Sequence, residues 1–264
     1  MRSADAVLET TTRRARHLHS AWRAPQVVVL AAGLGSRLGR TLPKPLTPLC
    51  DGRSIMRHQL DGLRSVFGDS VSVTAVVGYR AKAIMRAEPD LVFAFNPDYA
   101  RTNTSKSLLR ALRTSQAGGV LWLNGDVVFD PAVLEVVLPL VREDRSFVCV
   151  DTATVADEEV KYTLDAEGCI AELSKSVVGG LGEAVGINYV SGADKAVLIE
   201  HLTACGDQDY FERGMETAIQ RAGLRFVPLD ISAYRAVEVD MPEDLVRANA
   251  ELMAATSQPA GAVG

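Results

Sequence analysis

Residues 27–45 read VVVLAAGLGSRLGRTLPKP: an apolar run, a glycine-rich turn, and a lysine between two prolines. Val27, Val28, Val29 and Leu30 have the β-branched continuity of a central parallel strand covered on both faces. Ala31 and Ala32 keep its exit narrow. Gly33 and Gly35 let the backbone turn with its N–H groups uncovered, a cradle for phosphate oxygens. Two known nucleotide loops do not fit. The dinucleotide fingerprint needs a glycine where Leu38 stands, and the Walker loop needs Gly-Lys-Ser/Thr. Present instead are Arg37 within the turn and Lys44 after it, two cations able to converge on a polyphosphate. Pro43 and Pro45 fix φ on either side of Lys44, which predicts a stiff extended loop rather than helix.

Downstream, Ser54 caps an expected helix to about Phe67, followed by a strand at 71–77, a short helix at 81–87 and a strand at 91–95. This alternation predicts an α/β fold: a Rossmann-like, mostly parallel mixed sheet flanked by helices, with ligands at the carboxyl ends of its strands. Residues 96–112, NPDYARTNTSKSLLRAL, place a polar loop before a helix capped by Thr104 or Ser105. A fourth strand at 119–123 delivers Asn124-Gly125-Asp126. Asp126 is a ligand candidate for Mg²⁺, whose hard octahedral shell favours carboxylate, phosphate and water oxygens; an Asx turn is the alternative reading. Gly125 permits close backbone approach to a ribose.

From 151 to 189 the pattern changes to short strands and turns, which predicts a small antiparallel subregion over the mouth of the sheet. Lys161 and Lys175 lie in it among apolar neighbours, either binding an anion as point charges or facing solvent. Further on, VEVDMPEDL at 237–245 ends an apolar run at Asp240 before a helix opened by Pro242. Two distant carboxylates at strand ends, Asp126 and Asp240, suit a magnesium-dependent phosphoryl site.

The domain reading is a basic extension at 1–25, containing RRARHLH and an expected helix from about 4 to 22, then one domain at 26–250 and a flexible tail at 251–264. The domain divides into a nucleotide half (26–150) and an acceptor half (151–250). The 264 residues carry a net charge of −5, against a general nucleic-acid surface. The hydrophobic content of 47% supports a substantial core, and no apolar run approaches a membrane span. Cys50, Cys149, Cys169 and Cys205 lack the paired spacing of a zinc or redox site, and a cytoplasmic location is expected. His17, His19, His58 and His201 show no triad-like placement.

LAAGLGSRL followed by PKPL resembles the opening of the sugar-phosphate and alcohol-phosphate nucleotidyltransferases. The Asn103-x-x-x-Ser107-Leu108 segment, EVKYTLDAEGCIAELSK at 159–175 and GEAVGI at 182–187 are similar to the phosphocholine and phosphonate cytidylyltransferases. The resemblance implies nucleotide contacts along Leu30, Ala31, Ala32, Gly33, Gly35, Ser36 and Arg37, with Arg37 and Lys44 holding the triphosphate. It implies pyrimidine contacts from Asn103 and Ser107, a second metal motif at Asp240, and acceptor contacts from Lys161, Lys175, Glu183 and Gly186. The expected reaction joins CMP from CTP to a small phosphonate or phosphorylated alcohol, with Mg²⁺ as cofactor and a homodimer as an open assembly. Scarce aromatic residues, 6% of the chain, favour a phosphonate over a choline headgroup. A sugar-1-phosphate enzyme and a non-catalytic nucleotide-binding module are the alternatives.

Overall fold

Strand β1 (Gln26–Ala31) lies between β2 (Ser72–Val77) and β4 (Val120–Asn124), parallel to both. Val27, Val28 and Val29 are almost wholly buried, as the β-branched run requires. The computed structural model describes residues 24–35, 38, 42–153 and 159–257. The expected N-terminal helix, Ser36 and Arg37 lie outside them.

The main sheet runs β10 (Val227–Asp230), β6 (Phe147–Asp151), β9 (Glu183–Val190), β4, β1, β2, β3 (Val92–Phe95). Every strand of that path except β9 points the same way, because β9 is antiparallel to both β4 and β6. This corrects the expectation that the whole 151–189 segment covers the sheet's mouth. Gly186 to Val190 is buried without interruption, so β9 enters the sheet rather than lying on it. The antiparallel subregion itself is the hairpin of β7 (Lys161–Leu164) and β8 (Ile170–Ser174), joined to β9 through the Lys161–Glu183 pair. A separate ribbon pairs β5 (Val127–Phe129) with β11 (Ala236–Glu238).

Helices cover both faces. Helix α1 (Ile55–Phe67) begins at Ser54, whose hydroxyl accepts the Arg57 N–H at 3.1 Å. It is followed by α2 (Ala81–Ala87), α3 (Thr104–Thr114), α4 (Ala132–Arg142), α5 (Lys195–Ala204), α6 (Phe211–Ala222) and α7 (Pro242–Ser257). Leu60 and Leu63 of α1 join Val133, Leu134 and Val137 of α4 in one core. Leu108, Leu112, Leu198, Leu202 and Met215 from α3, α5 and α6 pack around Trp122 in the other. A third cluster, with Ile55, Val128, Val237, Val239 and Leu245, fastens the β5–β11 ribbon and α7 to the domain.

Three local expectations change. The lysine between prolines opens a single 3₁₀ turn, Lys44–Leu46, with only Pro43 extended. Pro45 fits there because the first turn of a helix leaves its N–H groups without acceptors. Helix α3 is capped by Asn103, whose side-chain oxygen accepts the Thr104 N–H at 2.8 Å, rather than by Thr104 or Ser105. Helix α7 continues to Ser257, past the tail boundary expected at 251. Residues 250–255 are Ala, Glu, Leu, Met, Ala and Ala, good helix formers with no breaker among them.

Candidate active site

The chain steps from β1 outward to β2 and β3, then crosses back to β4 on the other side of β1, so a crevice opens at the carboxyl ends of β1 and β4. Leu30 and Asn124 are register partners, and the Gly125 N–H donates to the Leu30 carbonyl at 3.0 Å. A Cβ on Gly125 would come within 2.6 Å of that carbonyl oxygen and 2.9 Å of Pro45, so only glycine fits. The close approach it permits is to the protein's own first strand. Gln59 of α1, buried, donates to the carbonyls of Asn124 and Val127, each at 2.8 Å. That side chain clamps both ends of the turn carrying Asp126.

Asp240 arrives by the ribbon. Glu238 pairs with Val127 in the β5–β11 register, and the Val239 N–H donates to the Asp126 carbonyl at 2.9 Å. Asp244 then accepts the Met241 N–H at 2.8 Å and the Asp240 N–H at 3.1 Å, fixing the entry to α7 as a helix-start carboxylate does. Carboxylate oxygens of Asp126, Glu238 and Asp240 consequently lie within 4.8 Å of one another. Lys44 joins them: its Nζ is 3.1 Å from Asp126 Oδ2 and also pairs with Asp240. Burial works against the Lys44 ammonium, but Asp126 and Asp240 outweigh it and hold the group above the usual lysine range. Desolvation, reinforced by Asp126 and Asp240, drives the Glu238 carboxyl well above the carboxylate range, with Lys44 pulling the other way. Gly35, at φ +58°, lies so close to the lysine stem that a Cβ would be 2.7 Å from Lys44 Cγ. The glycine turn and the acidic cluster therefore meet at one ammonium.

These groups line a cavity of about 310 Å³ together with Leu30, Ala31, Ala32, Gly33, Asn103, Ser107, Gly125, Lys175 and Gly186. Asn103 and Ser107 are held by other elements. The Asn103 N–H donates to the Asp207 carbonyl at 2.7 Å, and the Ser107 hydroxyl accepts from Asn96 at 3.1 Å. On the far wall, the Phe211 N–H donates to Thr104 Oγ1 at 3.0 Å, and the Phe211 ring meets Trp122 edge-on at 5.6 Å. These contacts bring Tyr210, Phe211 and Glu212 to the cavity, with Lys175 Nζ 5.2 Å from the centre of the Tyr210 ring. Lys161 and Glu183 do not line this cavity. Glu183 lines an adjoining hollow with Glu159 and Arg247.

Sequence reading missed Glu238 as a member of the acidic cluster. Its signal was present: Val237 and Val239 are buried, so strand alternation puts Glu238 and Asp240 on one side. It also missed β5, whose three residues run straight on from Asp126.

A doubly wound sheet whose crevice brings a glycine turn, a lysine and a carboxylate cluster together marks a nucleotide-handling α/β protein. The chain belongs to the MobA-like NTP transferase domain family, whose model matches residues 27–184. Over 119 residues it is 43% identical to a CMP-5′-(3-aminopropyl)phosphonate synthase of Streptomyces rubellomurinus, a match covering 42% of this chain and 18% of that protein. Over 102 residues it is 34% identical to the bifunctional protein GlmU of Granulibacter bethesdensis, covering 38% of this chain and 21% of that one. The chain thus matches only about a fifth of the length of these relatives. Its fold is that of the inositol-1-phosphate CTP transferase of T. maritima, with TM-score 0.71, 17% identity, and coverage of 90% of this chain and 99% of that one. CTP:phosphocholine cytidylyltransferase of Streptococcus pneumoniae gives 0.68 and 15%, covering 87% and 99%. No described helix is long and apolar enough to cross a membrane.

Proposed function

We propose that this chain transfers CMP from CTP to a small phosphonate or phosphorylated alcohol, releasing pyrophosphate. The observation that carries the reading is the junction of Lys44 with Asp126 and Asp240 beside the glycine turn. An acceptor oxyanion attacks the α-phosphorus of CTP; a P–O bond forms to the acceptor as the bond to the β-phosphate's bridging oxygen breaks. The acceptor is already ionised near pH 7, so no side chain need remove a proton and no covalent enzyme intermediate arises. What remains for the protein is alignment and neutralisation of charge.

In this reading Gly33, Gly35 and Lys44 face the triphosphate, and Arg37 completes the cationic side. Asn103 and Ser107, rooted through Asp207 and Asn96, contact the base. Lys175 and Gly186 belong to the acceptor side of the same cavity. Lys161 and Glu183, paired across β7 and β9, act as supports of that wall rather than as direct contacts. The donor set of Asp126, Glu238 and Asp240 consists of hard carboxylate oxygens and fits Mg²⁺. When bound there, the ion supplies charge neutralisation to the phosphates. CTP is favoured over other nucleotides by the likeness to the aminopropylphosphonate synthase, which also favours a phosphonate acceptor.

The test is pyrophosphate release by purified protein with Mg²⁺, each of CTP, UTP, GTP and ATP, and a panel of phosphonates, phosphocholine and sugar 1-phosphates. Release confined to CTP with a phosphonate or phosphorylated alcohol is the expected result. Turnover of sugar 1-phosphates with UTP, or binding without turnover, would overturn it.

A further inference from the structure

Helix α3 carries Lys106, Arg110 and Arg113 on one side, spaced four and then three residues apart. With Arg101 they border a second hollow, of about 490 Å³, to which Asp98 and Asp207 contribute carboxylates. Thr102 is the residue this hollow shares with the candidate active-site cavity. The chain as a whole is acidic, with a net charge of −5, so a hollow with more cations than carboxylates runs against the overall balance.

The cations are fixed by the protein itself. Lys106 Nζ donates to the carbonyls of Thr203, at 3.4 Å, and Cys205, and so meets the negative end of α5. Arg113 donates to Thr203 Oγ1 at 3.0 Å. Arg110 donates to Asn96 Oδ1 at 3.2 Å and to Asp98 Oδ2 at 2.9 Å, while the other Asp98 oxygen accepts from Arg101 at 3.0 Å. One carboxylate thus serves two guanidinium groups. Lys106 and Arg113 rest on neutral oxygens, and neither forms an ion pair with a described residue. A second anion entering the hollow would meet positive charge that the fold has oriented but left without a counter-charge.

We propose that this hollow is a second ligand site, separate from the transfer cavity, for an extended oligophosphate that is either free or carried by a nucleoside. From Lys106 to Arg113 the helix advances about 10 Å, more than one phosphate ion bridges, so linked phosphoryl groups are required to meet the whole row. Arg110 and Arg113 offer planar donor forks to phosphate oxygens, and Lys106 adds a point charge. None of these groups lines the candidate active site, so the inference does not depend on the cytidylyl-transfer reading.

The experiment is calorimetric titration with tripolyphosphate and with ATP, without metal, of wild-type protein, of Lys106→Gln/Arg113→Gln and of the charge-conserving Lys106→Arg/Arg113→Lys. Loss of two charge-assisted contacts predicts that the glutamine variant binds tripolyphosphate about 10- to 100-fold more weakly, while the charge-conserving variant retains most of the binding. Anion binding at the glycine turn and Lys44 is common to all three proteins, so the difference between them reports the hollow. Matching thermal melts show that each variant is folded. ATP losing the same factor as tripolyphosphate identifies the phosphate chain as what is read; a larger loss for ATP adds a nucleoside contact, and both support the site. Equal affinity of all three proteins for both ligands would overturn the proposal, as would no binding to wild type. Equal weakening in both folded variants would overturn it too, since charge would then not be what the ligand recognises.

Discussion

Glutamine at position 212 keeps the size of the glutamate while removing its charge, and the stability of the ligand-free protein should register that change in a pH-dependent way. The native state raises the Glu212 carboxyl from an ordinary 4.5 to about 7 through burial. A folded state that holds the proton more tightly than the unfolded one is most stable below the unfolded pKa and loses stability as pH rises through the folded one. From 4.5 to about 7, at about 1.36 kcal/mol per pK unit, ionising Glu212 costs the fold about 3 kcal/mol at most. Glutamine has no such loss. Urea unfolding of both proteins at pH 5 and pH 8 should therefore show Glu212→Gln gaining about 2–3 kcal/mol on wild type between the two conditions. A gap that stays constant with pH would refute the argument, since it would mean that the carboxylate is satisfied in the native state.

Lys44→Met should reduce pyrophosphate release at least 100-fold, the scale of losing one charge aimed at a transition state. Without metal it should also cost about 1–3 kcal/mol of stability, since Asp126, Glu238 and Asp240 lose their common cation, and Mg²⁺ should restore much of this in thermal melts. Asp126→Asn and Asp240→Asn should each abolish the Mg²⁺-dependent rise in melting temperature; a full rise in either variant would remove that residue from the metal site. Gly125→Ala should lower stability by about 1–3 kcal/mol, because the added methyl meets the Leu30 carbonyl at 2.6 Å, and equilibrium unfolding would detect it.

Local chemistry was sufficient for the first half of the chain. The unbroken burial of Val27 to Val29, the Ser54 cap and the strand–helix alternation through Phe95 each depend on neighbours within a few residues, and each was legible. Lys44, Asp126 and Asp240 could likewise be picked out as cation and carboxylates at element ends. Position along the chain could not say that β9 reverses direction inside the main sheet, since a buried apolar run looks the same in either direction. Nor could it reveal β5, a strand of three residues stabilised by pairing with β11 more than a hundred positions later.

The sequence by itself determined the kinds of group available: a glycine-rich turn, a lysine, carboxylates at strand ends, and charged residues in the short strands that follow. Only the tertiary structure decided which of them meet. Glu238 joined the cluster, Lys161 stayed outside the cavity, and Glu212 became a buried carboxylate because α6 docks on Trp122 and Thr104. The physical reason is range. Propensity and capping act over one or two turns of chain, whereas the cost of an unpaired charge depends on what the whole fold places around it.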